Sequence, residues 1–396
     1  MKNNKKINVL ILTPYFLPGY RAGGPIQSLK NIVDHLAERI NFFIITPDHD
    51  LGSKDKYPGV ASDQWNSIRG VSVYYYGNSI KSMLKLFKTL RQLPHEVRYY
   101  NSFFHPKTTL IPLILEKTGM LIKSPSILAP RGELANAALN LKKKKKLLFL
   151  RLAKLFKLYV NLHWHVSSHF EKEQLTTLIK ISANTNVAII PNLPPKISIT
   201  PEYRKSSKTP GKLKLVFASR IARKKNLVQA ISVLKKVKGV IQFDIYGPKE
   251  DSEYFNQCMQ LAETLPANIS VNYCGLLEHS QIIPTLKNYD FLFFLTQDEN
   301  FGHIILESLL AGTPVIISNR TPWLELEKRK AGWDLPLENE ASFQKVLKQC
   351  VEMDQNQHQS LCDGALNMAK EYLENREIVE ETFQMFTKIA NQGRLK

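Results

Sequence analysis

Acidic residues are scarce in this chain. Asp and Glu number 35 against 54 Lys and Arg over 396 residues, a formal charge of +19. That imbalance argues against a basic partner and for an anionic one: a nucleotide, an anionic lipid surface or a nucleic acid. Cysteine is equally sparse. Cys258, Cys274, Cys350 and Cys362 form no C-x-x-C pair and have no histidine pattern beside them, which excludes a disulfide framework and a zinc site of ordinary spacing and leaves a reduced, cytoplasmic thiol set. No apolar run approaches the roughly 20 residues that span a bilayer. The basic amino end precedes an apolar run at residues 7–13, but Pro14 breaks it and no A-x-A-like cleavage site follows, so it reads as a first buried strand rather than a signal peptide. The length suggests about two domains.

The most informative stretch is residues 291–318. Residues 291–295 are a continuous apolar run of strand length, the pattern of a parallel strand buried on both faces. Asp298, Glu299, Asn300 and Gly302 interrupt it; the apolar pattern then resumes from Ile304 to Ala311 as a largely buried helix. Gly312 and Pro314 close that helix before a strand at 315–317. Strand, loop, helix, strand puts Glu299 on a loop at the carboxyl edge of a parallel sheet and Glu307 about one turn inside the helix. Ligands of open α/β sheets bind at that edge. In the plainest reading Glu299 caps the helix and Glu307 pairs with a Lys or Arg. Against that reading, Glu307 lies in an apolar helix, where an ionised carboxylate is costly without a partner.

The rest of the chain alternates strands and helices. Strands at 42–46, 71–76, 98–103 and 126–129 and helices near 80–90 and 108–117 point to a doubly wound parallel sheet. The first strand leads through Pro14 to Gly23-Gly24-Pro25 and a helix at 26–36, an arrangement that lets backbone N–H groups approach a phosphate; a tight turn explains the two glycines equally well. Asp48-His49-Asp50 reads as an exposed turn rather than a metal site, because no further oxygen-ligand cluster accompanies it. His163, His165 and His169 read as strand and cap residues. Pro130-Arg131-Gly132-Glu133-Leu134 follows the strand at 126–129, again at a carboxyl edge.

Residues 142–158 open with Lys142 to Lys146 and mix Leu and Phe with further cations. This is the composition of a basic amphipathic helix on an anionic membrane, or of a core helix with a solvated lysine face. No aromatic stacking platform accompanies the lysines to favour nucleic acid. After a strand at 187–190, Pro191-Asn192-Leu193-Pro194-Pro195 ends the first domain, and a Pro-, Ser- and Lys-rich linker runs to residue 212. The alternation restarts with strands at 213–218, 241–246 and 269–273. On the loop after the first of these, Arg220, Arg223, Lys224 and Lys225 form either a diphosphate site or a solvated basic turn. Replacing Arg220 or Lys225 on such a loop is expected to leave the fold intact.

Glu299-Asn300-Phe301-Gly302, Glu307 and Ala311-Gly312-Thr313-Pro314-Val315-Ile316 together resemble the Glu-x7-Glu region of glycosyltransferase family 4. The loop at Gly23-Gly24 resembles the family's first loop, which faces the donor diphosphate. Residues 130–134 resemble the Pro-Arg-Gly-x-Leu variant of its acceptor-side loop, with Arg131 where many relatives carry His. Residues 219–226 resemble Gly-Arg-Leu-x-x-x-Lys-Gly, aligning Arg220 and Lys225 and putting Ser219 and Asn226 in place of the glycines.

The resemblance covers nearly the whole chain and implies an α/β, GT-B architecture: two Rossmann-like domains whose parallel sheets face a central cleft. Residues 1–190 would be the acceptor side, 191–212 a linker, 213–376 the nucleotide-sugar domain and 377–396 a terminal helix crossing back to the first. It implies a retaining, metal-independent hexosyltransferase that needs no cofactor, its nucleoside-diphosphate sugar being a substrate. Glu299, Arg220 and Lys225 would be catalytic; Gly23, Gly24, Gly302, Glu307, Gly275 and Leu276 would bind the donor, and Arg131 and Gly132 would lie on the acceptor side. Arg131 would either contact an acidic acceptor or hold its loop through a carboxylate. The acceptor would be a glycan or lipid-linked saccharide in bacterial surface polysaccharide or lipopolysaccharide synthesis, reached from the cytoplasm at the inner face of the plasma membrane, with no nucleic-acid partner. Two rivals are a nucleotide-sugar epimerase of the same fold and a non-catalytic polyanion- or membrane-surface-binding protein, whose binding would be steeply salt-dependent.

Overall fold

The computed structural model describes residues 6–135, 139, 143–179, 186–197 and 207–394. Lys142 and residues 198–206 of the expected linker lie outside the described residues. The chain forms two compact units: Met1–Lys196 with Asn375–Lys396, and Ile197–Glu374.

The first unit is built on an eight-stranded sheet of β1 (Ile7–Leu12), β2 (Ile40–Pro47), β3 (Gln64–Ile68), β4 (Val71–Tyr76), β5 (Val97–Tyr100), β6 (Ser126–Leu128), β7 (His163–Val166) and β8 (Val187–Ile189), in the order β3-β4-β2-β1-β5-β6-β7-β8. All neighbours run parallel except β3, an antiparallel edge strand that hydrophobic patterning does not reveal. Its helices are α1 (Gly24–Leu36), α2 (Ile80–Gln92), α3 (Ile111–Lys117, preceded by a π-helical turn at Pro106–Leu110), α4 (Lys143–Leu155) and α5 (His169–Ile179). From β1 the chain moves one way along the sheet to β2, and from β4 onward it moves the other way. Right-handed crossovers then place α1 on one face and α2 to α5 on the other. Packing agrees: Leu86 and Leu90 of α2, Leu113 of α3, Ala153 of α4 and Leu175 of α5 share a core with Leu10, Leu12, Tyr76 and Trp164. Phe42 and Tyr99, of opposite parity along their strands, instead meet Phe386.

The second unit holds a wholly parallel sheet of β9 (Lys212–Ala218), β10 (Val240–Tyr246), β11 (Ile269–Gly275), β12 (Phe291–Phe294), β13 (Val315–Ser318) and β14 (Gly332–Leu335). Its order is β11-β10-β9-β12-β13-β14. Counted from the first strand this is 3-2-1-4-5-6, the dinucleotide-binding arrangement, whose switch point lies between β9 and β12. Around it stand α6 (Leu227–Leu234), α7 (Ser252–Glu263), α8 (His279–Leu286), α9 (His303–Leu310), α10 (Glu340–Glu352) and α11 (Gln355–Glu374); α12 (Arg376–Arg394) belongs to the first unit. Every residue of β12 is buried. Helix α9 ends where the Thr313 N–H reaches back to the Ser308 carbonyl at 2.9 Å across Gly312, whose φ is +66°, a left-handed closure that glycine accepts at no steric cost.

One backbone contact is unusually tight. Gly332, φ +131°, pairs with Val315, and a Cβ built on it would lie 1.9 Å from the Val315 carbonyl oxygen. Gly332→Ala is therefore expected to lower the unfolding free energy by about 2 kcal/mol or more. Chemical denaturation checks this, and an unchanged midpoint would put the β13–β14 register in error.

Candidate active site

The switch point of the second unit brings the loops after β9 and β12 together. The first contains a short 3₁₀ turn, Arg223–Lys225, and then Asn226 at φ +57°. Asn is among the few non-glycine residues that adopt this left-handed conformation readily, which is how it replaces the glycine of the pattern. The Gln297 N–H donates to the Lys224 carbonyl at 2.9 Å, and Lys224 Nζ lies 3.7 Å from Asp298 Oδ2. Lys225 Nζ donates directly to the Glu299 carboxylate, with only 12% and 13% of the two side chains exposed, and stands 5.3 Å from the Phe294 ring centre. The Glu299 N–H is held by the Arg320 carbonyl at 2.9 Å, and Gly302, φ +77°, turns the chain into α9.

Burial alone would raise the Glu299 carboxyl, but Lys225, Lys224 and Arg220 outweigh it and hold the group below the usual carboxylate range. Burial also pushes the Lys225 ammonium below its ordinary value, with Glu299 opposing and Arg220 and Lys224 adding to the effect. The expectation that Lys225 is a replaceable loop residue is thereby corrected. Deleting either member of a buried pair leaves the other uncompensated, at about 3–5 kcal/mol. Arg220 does sit at the surface, where its Nη1 donates to Glu250 at 2.5 Å.

Glu307 has no Lys or Arg partner among the described residues. Its Oε1 lies 3.6 Å from Nδ1 of His279 at the start of α8, and burial raises its carboxyl to about 7. This contact ties α9 to the segment following Gly275, φ +88°, and the exposed Leu276. The neighbouring edge is equally close-packed. The Gly247 N–H donates to the Gly275 carbonyl at 2.8 Å, and a Cβ on Gly247 would fall 1.9 Å from the Ser219 carbonyl oxygen.

At the first unit's carboxyl edge, Gly23 at φ +63° is the N-cap of α1 and Gly24 its first residue. The N–H groups of Tyr20 and Arg21, in the same loop, donate to Asp50 at 2.9 and 3.1 Å. Asp48-His49-Asp50 is thus not the exposed turn expected: both acids are buried, Asp48 accepting from Ser62 Oγ at 2.7 Å. Arg131, φ +52°, donates through Nε to Asn101 at 2.8 Å, through Nη1 to Asn192 at 2.7 Å and through Nη2 to the Tyr99 hydroxyl at 2.7 Å. It holds its loop through neutral acceptors rather than a carboxylate. With its oxygen accepting from Arg131, Tyr99 donates to His165 Nδ1 at 2.8 Å, and His165, its imidazole pushed down to about 3 by burial, sits in β7 as a strand residue. The Gly132 N–H is taken by buried Glu171 at 2.7 Å. Among the described residues, no cluster of three or more His, Cys, Asp or Glu has metal-holding geometry.

Residues 199–362 match the family described as Glycosyl transferases group 1. The match lies within the second unit. The fold is GT-B. The chain aligns with the Anabaena HepE protein solved with UDP and glucose (TM-score 0.69, 15% identity, 96% of this chain and 100% of that one). It also aligns with sucrose-phosphate synthase of Thermosynechococcus elongatus (TM-score 0.71, 11% identity, 97% and 99%). In sequence it is 36% identical over 121 residues to the alpha-monoglucosyldiacylglycerol synthase of Streptococcus pneumoniae, covering 29% of this chain and 26% of that one. The chain spans 20% and 26% of the lengths of the two curated relatives it matches.

Three side chains of the second unit escape a reading from the sequence alone. Buried Thr296 sits between the loops, its hydroxyl 3.3 Å from the Lys224 carbonyl and 3.2 Å from the Asp298 carbonyl. Trp323 Nε1 donates to the Phe301 carbonyl at 2.5 Å and packs with Phe301 and Tyr372, bracing the Glu299 loop from behind. His279 supplies the contact to Glu307. The only signal for any of them is position just past a strand or at a helix start.

Glu307 gives this domain a pH dependence. Between its ordinary 4.5 and about 7, the unfolded chain has released the proton and the folded chain retains it, so stability falls as pH rises through that window and is flat above it. Glu307→Gln removes the penalty. The ligand-free variant is expected to exceed the wild type in stability at about pH 8, by up to about 3 kcal/mol, with the gain gone near pH 4. Denaturation at both pH values checks this, and an equal shift at both would remove Glu307 ionisation as the cause.

Proposed function

We propose that this chain is a retaining glycosyltransferase that moves a hexosyl group from a nucleoside-diphosphate sugar to a hydroxyl of a growing glycan or lipid-linked saccharide, without a metal, on the cytoplasmic side of a bacterial membrane. The observation that carries the reading is the Lys225 and Glu299 pair at the switch point, with Arg220 close enough to act on both. The group 1 match supports it, as do the UDP and glucose bound by HepE and the glycolipid product named for the pneumococcal synthase.

A donor diphosphate competes with Glu299 for Lys225. Once Lys225 and Arg220 face the phosphates, they stabilise the charge that grows on the departing diphosphate, the point at which preorganised electrostatics acts most strongly. The freed Glu299 carboxylate fixes sugar hydroxyls and favours positive charge at the anomeric carbon. The bond from that carbon to the diphosphate oxygen breaks, the acceptor oxygen bonds to it on the same face, and the acceptor proton passes to the departing phosphate. Glu307 accepts hydrogen bonds from ribose hydroxyls, best in its ionised form above about pH 7. Gly302 and Gly275 let the backbone come close to the donor, Leu276 lies beside the base, and Gly23 and Gly24 line the approach to the diphosphate. Arg131 and Gly132 shape the acceptor side.

Glu299→Gln keeps the side chain's shape and removes its charge. Turnover is expected to fall roughly 100-fold or more, as for a group acting mainly in the transition state, while nucleotide affinity is kept or raised because Lys225 no longer has the carboxylate as a competing partner. Circular dichroism verifies that the variant is folded. NMR of the new linkage is expected to show the donor's anomeric configuration retained; an inverted linkage contradicts the mechanism, and donor conversion without an acceptor makes the protein an epimerase instead.

A further inference from the structure

The lysine-rich segment at 142–158 is one part of a larger surface. Between residues 64 and 170 the chain carries eighteen Lys and Arg against three acids, and each of the three is engaged within the fold, with Lys146 acting on Glu133, and Lys85 acting on Asp63 just before this stretch. Glu96 accepts from the Asn8 N–H at 2.7 Å, Glu116 pairs with fully buried Arg98 at 2.6 Å, and Glu133 accepts from Ser102 Oγ at 2.6 Å and the Phe104 N–H at 2.7 Å. The cations lie largely on α2, α3 and α4, which the crossover rule stacks on one face of the first unit's sheet.

That face is also apolar. On α2 the outward stripe reads Ile80, Lys81, Leu84, Lys85, Lys88 and Arg91, with Ile80 82% and Leu84 67% exposed. On α4 only Ala153 is buried among the described side chains, and Leu148 and Leu152, with Leu155 at 72% and Phe156 just beyond the helix at 69%, face outward. Between them, the α3 region exposes Ile111, Ile114, Met120 and Ile122 beside Lys117 and Lys123. The segment before α3 reaches toward both neighbours: Lys107 Nζ donates to Asn78 Oδ1 at 2.7 Å beside the start of α2. Lys146 Nζ sits 5.0 Å from the ring centre of Phe104, which packs on Phe149 of α4.

We infer that α2, the α3 region and α4 together form a single docking face for an anionic lipid bilayer, with α2 as essential as the lysine run. The inference rests on the membrane position proposed above and extends it from one helix to a layer. An array in which cations far outnumber acids complements a negative leaflet, and the aliphatic rungs between them are what an amphipathic surface inserts below the headgroups. A nucleic acid would use the cations and leave those rungs wet.

The test is co-sedimentation of the full chain with phosphatidylcholine vesicles with and without phosphatidylglycerol. Wild type is expected to bind only the anionic vesicles. The α2 variants Lys81→Glu with Lys85→Glu, and Ile80→Ser with Leu84→Ser, are each expected to lose about tenfold or more of that partitioning, with circular dichroism unchanged because all four side chains are exposed. If both α2 variants bind like wild type while Lys144→Gln with Lys145→Gln releases the protein, the shared face is wrong and the lysine-run reading survives. If wild type ignores anionic vesicles, both fail. If charge reversal matters, the serine variant does not, and heparin binds as well as the vesicles do, the surface is a polyanion site and the inference is overturned.

Discussion

A largely buried cation facing a largely buried carboxylate governs the second unit. Lys225 and Glu299 come from loops that are 74 positions apart in the chain and adjacent in space only because β9 and β12 are neighbours in the sheet. Such a pair adds little net stability over apolar packing, so its presence needs another reason. Every local device around it serves to keep the two groups in register: left-handed Asn226, the bond from the Gln297 N–H to the Lys224 carbonyl, the hydroxyl of Thr296, and Trp323 on the Phe301 carbonyl. In the proposed mechanism an incoming diphosphate offers Lys225 a stronger partner and releases Glu299 in the same event. On that proposal the pair is the resting state of a binding site.

The same constraint explains the raised Glu307. A carboxyl held mostly out of water with no Lys or Arg partner among the described residues is poor for stability. The first unit makes the opposite choice. Arg131, the cation on its expected acceptor loop, is satisfied by three neutral acceptors on two other segments, and its role there is to gather the loops after β5, β6 and β8 around one rigid fork.

Much of this could be read from residues alone because parallel α/β sheets write themselves plainly. Buried strands such as residues 291–294 are unbroken apolar runs, and the Gly312-Pro314 ending of α9 is local chemistry. Edge strand β3 was illegible because half of its side chains face water and its partner is set by tertiary context. The burial of Asp48 and Asp50 was hidden for a related reason. Two acids in three residues look like a solvated turn until the loop at Tyr20 and Arg21 folds over them and supplies N–H groups. Lys225 and Glu299 were each legible as candidates, but their contact was not, since only strand order brings them together. The neutral partners of Arg131 were invisible for the same reason.

The most direct test is calorimetric titration of the full chain with UDP, GDP and ADP beside the matching monophosphates, repeated on the Arg220→Ala variant, whose side chain is exposed and whose loss leaves no buried charge behind. The account predicts that one of the diphosphates binds at a single saturable site, more tightly than its monophosphate, and that Arg220→Ala weakens it by about tenfold or more, in line with losing one charge-assisted contact. Absence of saturable binding for all three diphosphates, or equal affinity for wild type and Arg220→Ala, would contradict it.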